Sequence, residues 1–224
     1  TPHLSLDNIR WENRLNGVSL TVGKGEIVGL GGLDGQGQKE LLLALFGVLR
    51  GVDGRVTVGD RTGIAGSPAD AKGNKTRMAL VPEDRKTEGL MVPMSIADNL
   101  LASSYSRVSA GPFIDPGKAT KAVQDAIGQL SIKLNKPTDA VASLSGGNQQ
   151  KVVIAKWLMT DPEVILLNDP TRGIDVGTKQ ELSRLMRQLA DAGKAILFYS
   201  TDYAELIGCC DRVAVMYDGR IVTE

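Results

Sequence analysis

"SLTVGKGEIVGLGGLDGQGQKELLLALFG", residues 19–47, decides how this sequence is read. The run Glu26–Leu30 reads as a strand and leads into a stretch holding Gly32, Gly35 and Gly37. Behind it Leu41, Leu42, Leu45 and Phe46 share one stripe of a helix expected over Gln38–Phe46. A phosphate loop is built this way. Glycines let backbone N–H groups turn inward around an anion, and the following helix faces that anion with its positive end. The full motif is GxxxxGK followed by Ser or Thr, in which Lys reaches the terminal phosphates and the hydroxyl meets magnesium. Gly32 and Gly37 keep the spacing, but the lysine slot holds Gln38 and the hydroxyl slot holds Lys39. Taken alone, the stretch reads equally well as an ordinary strand–helix turn.

The rest of the chain supplies the context. "RMALVPEDR" gives a short strand, Met78–Val81, stopped by Pro82. Residues 95–160 are mostly helical in pattern, with Gly and Pro breaks at 111–117 and near Pro137. A clean alternation follows: strand 164–167, helix 178–191, strand 195–200, a short helix near 203–208 and strand 212–217. Leu182, Leu185, Met186 and Leu189 give the longer helix its stripe, and Asp218-Gly219 signals a hairpin. Strands alternating with helices predict an α/β fold with a mostly parallel sheet.

Composition bounds the function. The 224 residues are 42% apolar and 23% charged, with net charge +0. This is ordinary globular composition, and no global basic field points to nucleic acid or an anionic membrane. No apolar run approaches the roughly 20 residues that cross a bilayer. The chain opens on Thr1 rather than Met, with no apolar signal region in its first ten residues, so a fragment excised from a longer protein is expected. Cys209 and Cys210 are adjacent, without CxxC spacing or a histidine cluster, and read as two reduced thiols. His3, the only histidine, reads as an exposed terminal side chain.

"LSGGNQQKVVIAKWL", residues 144–158, changes the weighting. It resembles the signature motif of ATP-binding cassette proteins. "VPEDRKTEGL" at 81–90 and "PTRGIDVG" at 170–177 resemble the second, C-terminal cassette of sugar-importer ATPases of the ribose, xylose and galactose type. The resemblance runs from about Leu4 to the C-terminus. It implies a phosphate-loop core over 1–84 and 143–224, an antiparallel β portion near the N-terminus, and a helical lobe over 85–142 inserted in a single 1–224 cassette.

The resemblance also assigns roles. Gly32, Gly35 and Gly37 would wrap ATP phosphates, with Gln38, Lys39 and Glu40 at the helix start beside them. Trp11 would stack on adenine, or simply pack. Glu83 takes the place of the glutamine that senses metal and attacking water. Asn168 stands where a magnesium-holding Asp is expected, Asp169 where the catalytic Glu is expected, and Thr201 where a switch histidine would sit. Ser145, Gly146, Gly147 and Asn148 form the signature that faces a partner's ATP, and Asp175 is the loop acid that communicates across the dimer.

These departures have one physical logic. Magnesium prefers hard, charged oxygens. Lys39 replaces a hydroxyl and Asn168 removes a charge, so magnesium is expected to bind weakly or not at all at this cassette's own site, and no metal ligand is assigned. Lys39 either substitutes for the ion as a counter-charge or points to solvent. Asp169 is one methylene shorter than Glu, and a misplacement on the order of 1 Å costs about 100-fold. The expected function is therefore the ATPase cassette of a monosaccharide importer with a quiet site of its own and an intact signature. Its expected partners are the N-terminal cassette of the same longer chain and membrane permease subunits at the cytoplasmic face, with the sugar bound by other subunits and no nucleic acid. The alternatives are an inactive regulatory or scaffold cassette and a nucleoside-importer ATPase. "MVPMSIADNLL" offers Met91, Met94 and Ile96 either to the core or to a membrane subunit.

Overall fold

The computed structural model describes residues 2–73 and 76–224. The first stretch forms β1 (Pro2–Trp11), β2 (Leu15–Gly23), β3 (Ile27–Gly31), α1 (Gln38–Leu45), β4 (Asp53–Val58), β5 (Arg61–Thr62), α2 (Pro68–Lys72) and β6 (Met78–Val81). A single π-helical turn, Arg85–Gly89, precedes α3 (Ile96–Leu101), the short strands β7 (Ser109–Ala110) and β8 (Phe113–Ile114), α4 (Pro116–Gln129) and α5 (Gly146–Leu158). The chain closes with β9 (Val164–Asn168), α6 (Val176–Asp191), β10 (Ala195–Tyr199), α7 (Tyr203–Cys209), β11 (Arg212–Tyr217) and β12 (Arg220–Thr223).

By contacts the chain divides into two units. The first holds the chain up to Leu80 with Pro162–Thr171 and Gln180–Glu224; the second holds Val81–Asp161 and Arg172–Lys179. In the first unit a four-stranded sheet runs β2-β1-β4-β5, antiparallel throughout. A six-stranded sheet runs β12-β11-β3-β10-β9-β6, in which β11, β3, β10 and β9 are parallel and β12 is antiparallel. Every residue of β3, β9 and β10 is buried, and apart from Asn168 at the end of β9 these strands are apolar runs without alternation. Burying a side chain such as Phe198 or Ile27 contributes about 1.5–3 kcal/mol.

Register positions the site. Tyr199 lies opposite both Leu30 and Asn168, so the carboxyl ends of β3, β10 and β9 are level. The loops leaving these three strands therefore emerge side by side, where open α/β sheets bind ligands. The expected α/β fold, mostly parallel core sheet and antiparallel β portion are all present.

The second unit is built on α3, α4 and α5, with α3 packed on α5. Ser95 caps α3 by accepting the Asp98 N–H, and Ser145 caps α5 by accepting the Asn148 N–H. The unit is wider than the 85–142 lobe expected from sequence, because α5 packs against α3 and α4 and so joins it. The helical pattern read over 95–160 is also interrupted by the β7–β8 hairpin, turned at Gly111-Pro112. Ile96 is fully buried, whereas Met91 and Met94 are exposed, so the apolar face proposed there divides between core and surface. The buried Asn99 amide holds this segment by accepting the Met91 N–H at 2.8 Å and donating to the Met91 carbonyl at 3.0 Å.

His3 corrects the sequence reading. It is 7% exposed rather than solvent-facing, because β1 is a sheet strand and not a loose terminus. Its Nε2 lies 3.2 Å from Glu163, which also pairs with Arg61 at 2.5 Å and Arg77 at 2.9 Å. Burial lowers the imidazole pKa, against a raising effect of Glu163. Both cysteines are free, and burial pushes the Cys210 thiol up to about 12.

Candidate functional site

The first unit gathers one half of the expected site. After β3 the chain turns through Gly32 at φ +110. A methyl group there would stand 2.2 Å from the Met216 carbonyl oxygen, so both the backbone angle and the space demand glycine. Gly35 faces open space, and Gly37, at φ 108, begins α1 without a side-chain cap. Gln38 is 1% exposed, and its amide turns back into the loop. Lys39 is exposed. Glu40 pairs with Arg14 at 2.7 Å.

Two hydroxyls that sequence reasoning missed fasten this loop. Tyr203 donates to the Gly32 carbonyl at 2.8 Å and Tyr199 donates to Asp34 Oδ1 at 2.8 Å. Spacing carries no signal for either. Only the parallel pairing of β10 with β3 and the start of α7 bring them to the loop. Trp11 is half-exposed, and its Nε1–H donates to the Arg50 carbonyl at 2.9 Å, a packing role that leaves stacking untested.

At the end of β9, Asn168 is 1% exposed, and its Oδ1 has no hydrogen-bond partner among the described residues. Asp169 is 2% exposed, sits at φ 46, and accepts the Thr201 hydroxyl at 2.9 Å. A resident divalent cation would find here one neutral amide oxygen and one carboxylate already bonded to a hydroxyl. Among the described residues no three His, Cys, Asp or Glu converge as a metal-binding group. This donor set fits magnesium poorly.

The second unit carries the rest. Glu83 pairs with Arg172 within this unit. Ser145 is exposed at the N-terminus of α5, and Asn148 donates its amide to the Ser145 hydroxyl at 3.0 Å while accepting the Lys133 N–H at 2.9 Å. Gly147 is buried, and a methyl on it would meet Thr178 Oγ1 at 2.6 Å. Arg85 lies over Gly146, 2.8 Å from where a methyl would stand. Asp175 is exposed and accepts from the Thr178 N–H at 2.9 Å and its hydroxyl at 2.8 Å, bonds that lower its pKa. The arrangement presents a helix start with an exposed serine whose hydroxyl oxygen accepts from Asn148, and with backbone N–H groups, suited to an oxyanion.

Comparison with known proteins agrees with this geometry. Residues 15–172 match the family model described as ABC transporter. The ribose import ATP-binding protein RbsA 1 of Mesorhizobium japonicum is 60% identical over all of this chain, which covers 43% of that relative. A protein of the same name from Streptomyces coelicolor is 45% identical over 99% of the chain and 43% of its own length. The chain thus spans less than half the length of these relatives. Among solved structures, a nucleotide-free ATP-binding cassette from an ABC transporter superposes with TM-score 0.81 at 22% identity, covering all of this chain and 90% of that one. A dimeric cassette bound to ADP and Pi superposes with TM-score 0.79 at 20% identity, covering 98% and 97%. These two likenesses concern the fold.

Proposed function

The chain belongs to the ABC transporter family, and from that premise we propose that it is the ATP-binding cassette of a monosaccharide importer whose own site is quiet and whose signature completes a partner's site. The observation that carries this reading is a contrast. The signature helix α5 keeps its Ser145 cap and its glycines, while the loop at the foot of α1 holds an amide in place of lysine. Similarity to ribose import proteins over the whole chain supports sugar as the cargo.

The matched share of those relatives is that of one cassette on a longer chain. We assign the other cassette of that chain as the partner; placing this one second, at the C-terminal side, rests on the motif resemblance at 81–90 and 170–177. Separate permease subunits would provide the membrane path and bind this cassette on the cytoplasmic side; among the described residues no helix is long and apolar enough to cross a membrane. The chemistry assigned to this chain is modest. Ser145 and the N–H groups of Gly146 and Gly147 would bind the terminal phosphate of ATP held by the partner. Asp175 would hold the loop before α6 in shape through Thr178.

The test is steady-state ATP hydrolysis by this chain alone and by the two-cassette chain. The isolated chain should turn over near background. In the two-cassette chain, Ser145→Arg should lower turnover by about 100-fold, the scale of losing one oxyanion donor. Brisk turnover by the isolated chain, abolished by changing Asp169, would refute the reading.

A further inference from the structure

Gln38 is almost fully buried, yet its amide does not enter an apolar core. It folds back under the glycine loop. Its Oε1 accepts the Gln36 N–H at 3.0 Å. Its Nε2 donates to the Leu33 carbonyl at 2.9 Å and to the Gly31 carbonyl at 3.2 Å. A primary amide has two N–H donors and a carbonyl oxygen, so both donors and the oxygen are engaged.

We propose that Gln38 is the positioning residue of this loop, an internal ligand whose neutral amide oxygen takes the place of a nucleotide phosphate oxygen and holds the loop folded. The proposal deepens the functional reading and rests on residues 32–37 being a phosphate loop.

A phosphate loop turns its N–H groups toward one point, and an anion normally satisfies them. Without an anion, those donors need other partners or the turn opens. Here Gln38 Oε1 supplies the partner for Gln36. The carbonyl side of the loop is bonded as well. Tyr203 donates to the Gly32 carbonyl, the Gly219 N–H donates to the Gln36 carbonyl at 3.0 Å, and Gln36 Oε1 accepts the Asp218 N–H at 2.8 Å. The carbonyls of Gly31, Gly32, Leu33 and Gln36 therefore all have donors inside the fold. The Gln36 N–H, satisfied from within, gains little from ATP. A phosphate oxygen reaching Gln36 N–H must expel an acceptor, and the displaced amide then leaves the Gly31 and Leu33 carbonyls without its two N–H groups. A lysine in the same slot would instead bring its charge to the phosphate.

ATP titration by calorimetry on the wild-type chain, Gln38→Ala, Gln38→Glu and Gln38→Lys/Lys39→Thr tests this, together with hydrogen exchange at the Gln36 amide. Gln38→Ala should bind ATP about tenfold more tightly than wild type, the scale of one hydrogen bond that no longer has to be broken. Gln38→Glu, which keeps an acceptor and adds negative charge, should bind more weakly than wild type. The Gln36 amide should exchange slowly in nucleotide-free wild type and faster in Gln38→Ala. If the double variant binds ATP but Gln38→Ala binds no better than wild type, the internal-ligand role is wrong and the phosphate-loop reading stands. If no variant binds ATP, both fall. Should Gln38→Ala fold poorly, fast exchange of Gln36 in nucleotide-free wild type would by itself overturn the proposal.

Discussion

The hydroxyl of Thr201 donates to Oδ2 of Asp169 at 2.9 Å. Register explains the meeting: Tyr199 and Asn168 are opposite one another at the ends of β10 and β9, so the residues just beyond them are neighbours. Asp169 is 2% exposed and at φ 46, and its short carboxylate is held by a hydroxyl. Lengthening the arm alone should not create a general base, because Asn168 and Gln38 stay neutral and Thr201 cannot exchange a proton as a histidine does. Asp169→Glu should raise ATP turnover of this chain by less than about tenfold, against the roughly 100-fold effects that placing or misplacing a working catalytic group brings. Steady-state phosphate release measures it.

Gly147 tests the packing beneath the signature. A methyl there would stand 2.6 Å from Thr178 Oγ1 and 2.9 Å from Thr178 Cγ2. Gly147→Ala should destabilise the chain by about 1–3 kcal/mol through overpacking. Thr178→Ala in the same chain removes the two clashing atoms but also the hydroxyl bond to Asp175, while the backbone N–H bond stays. The double variant should therefore be more stable than the sum of the two single losses, a coupling read from denaturant midpoints.

Much of the first unit was legible because its strands obey a simple rule. Ile27–Gly31, Val164–Asn168 and Ala195–Tyr199 are buried along their whole length, so each is an apolar run, broken in the second strand only by its last residue, Asn168, that no helix period explains. The site was legible as a set of positions along the chain, but not as bonds. Nothing in the spacing of Gln38 says that its amide points back toward Gly31 and Leu33, and nothing in "YSTDYAE" says that the Tyr199 and Tyr203 hydroxyls close the loop. His3 was misread because a residue near a chain start carries no sign of the sheet that buries it. The β7–β8 hairpin was missed because two-residue strands leave no periodicity to detect.

Lys156 gives a pH-dependent stability. It lies on α5, is 9% exposed, and donates from Nζ to the Gly89 carbonyl while its ammonium stands 5.4 Å from the Trp157 ring centre. Burial lowers its pKa from 10.5 to about 8. The unfolded chain therefore holds the proton more tightly than the folded chain between those two values. Stability should rise as pH climbs through this window, and the cost of keeping the buried charge, up to about 3 kcal/mol, is fully present below it. Lys156→Met keeps the aliphatic stem and removes the titration. The difference in unfolding free energy between wild type and Lys156→Met should shift toward wild type from pH 8 to 10.5, measured by urea denaturation, and a flat difference would show that Lys156 is solvated.

His3 is the single histidine, so one imidazole resonance reports its titration without assignment ambiguity. Burial lowers its pKa below the usual 6.5, Glu163 opposes that, and Lys24 and Arg61 reinforce it. The proton is thus held more weakly in the folded chain than in the unfolded one. The stability tied to neutral His3 is present above pH 6.5 and is lost as pH falls through the lowered folded pKa. Glu163→Gln removes the one influence that raises the imidazole pKa, so its midpoint should move further down, and the Arg61 and Arg77 guanidiniums lose their shared carboxylate in the same change. A proton NMR titration of both chains between pH 4 and 8 checks the order of the two midpoints. A wild-type midpoint at or above 6.5 would mean that the Glu163 charge, not burial, governs this end of β9.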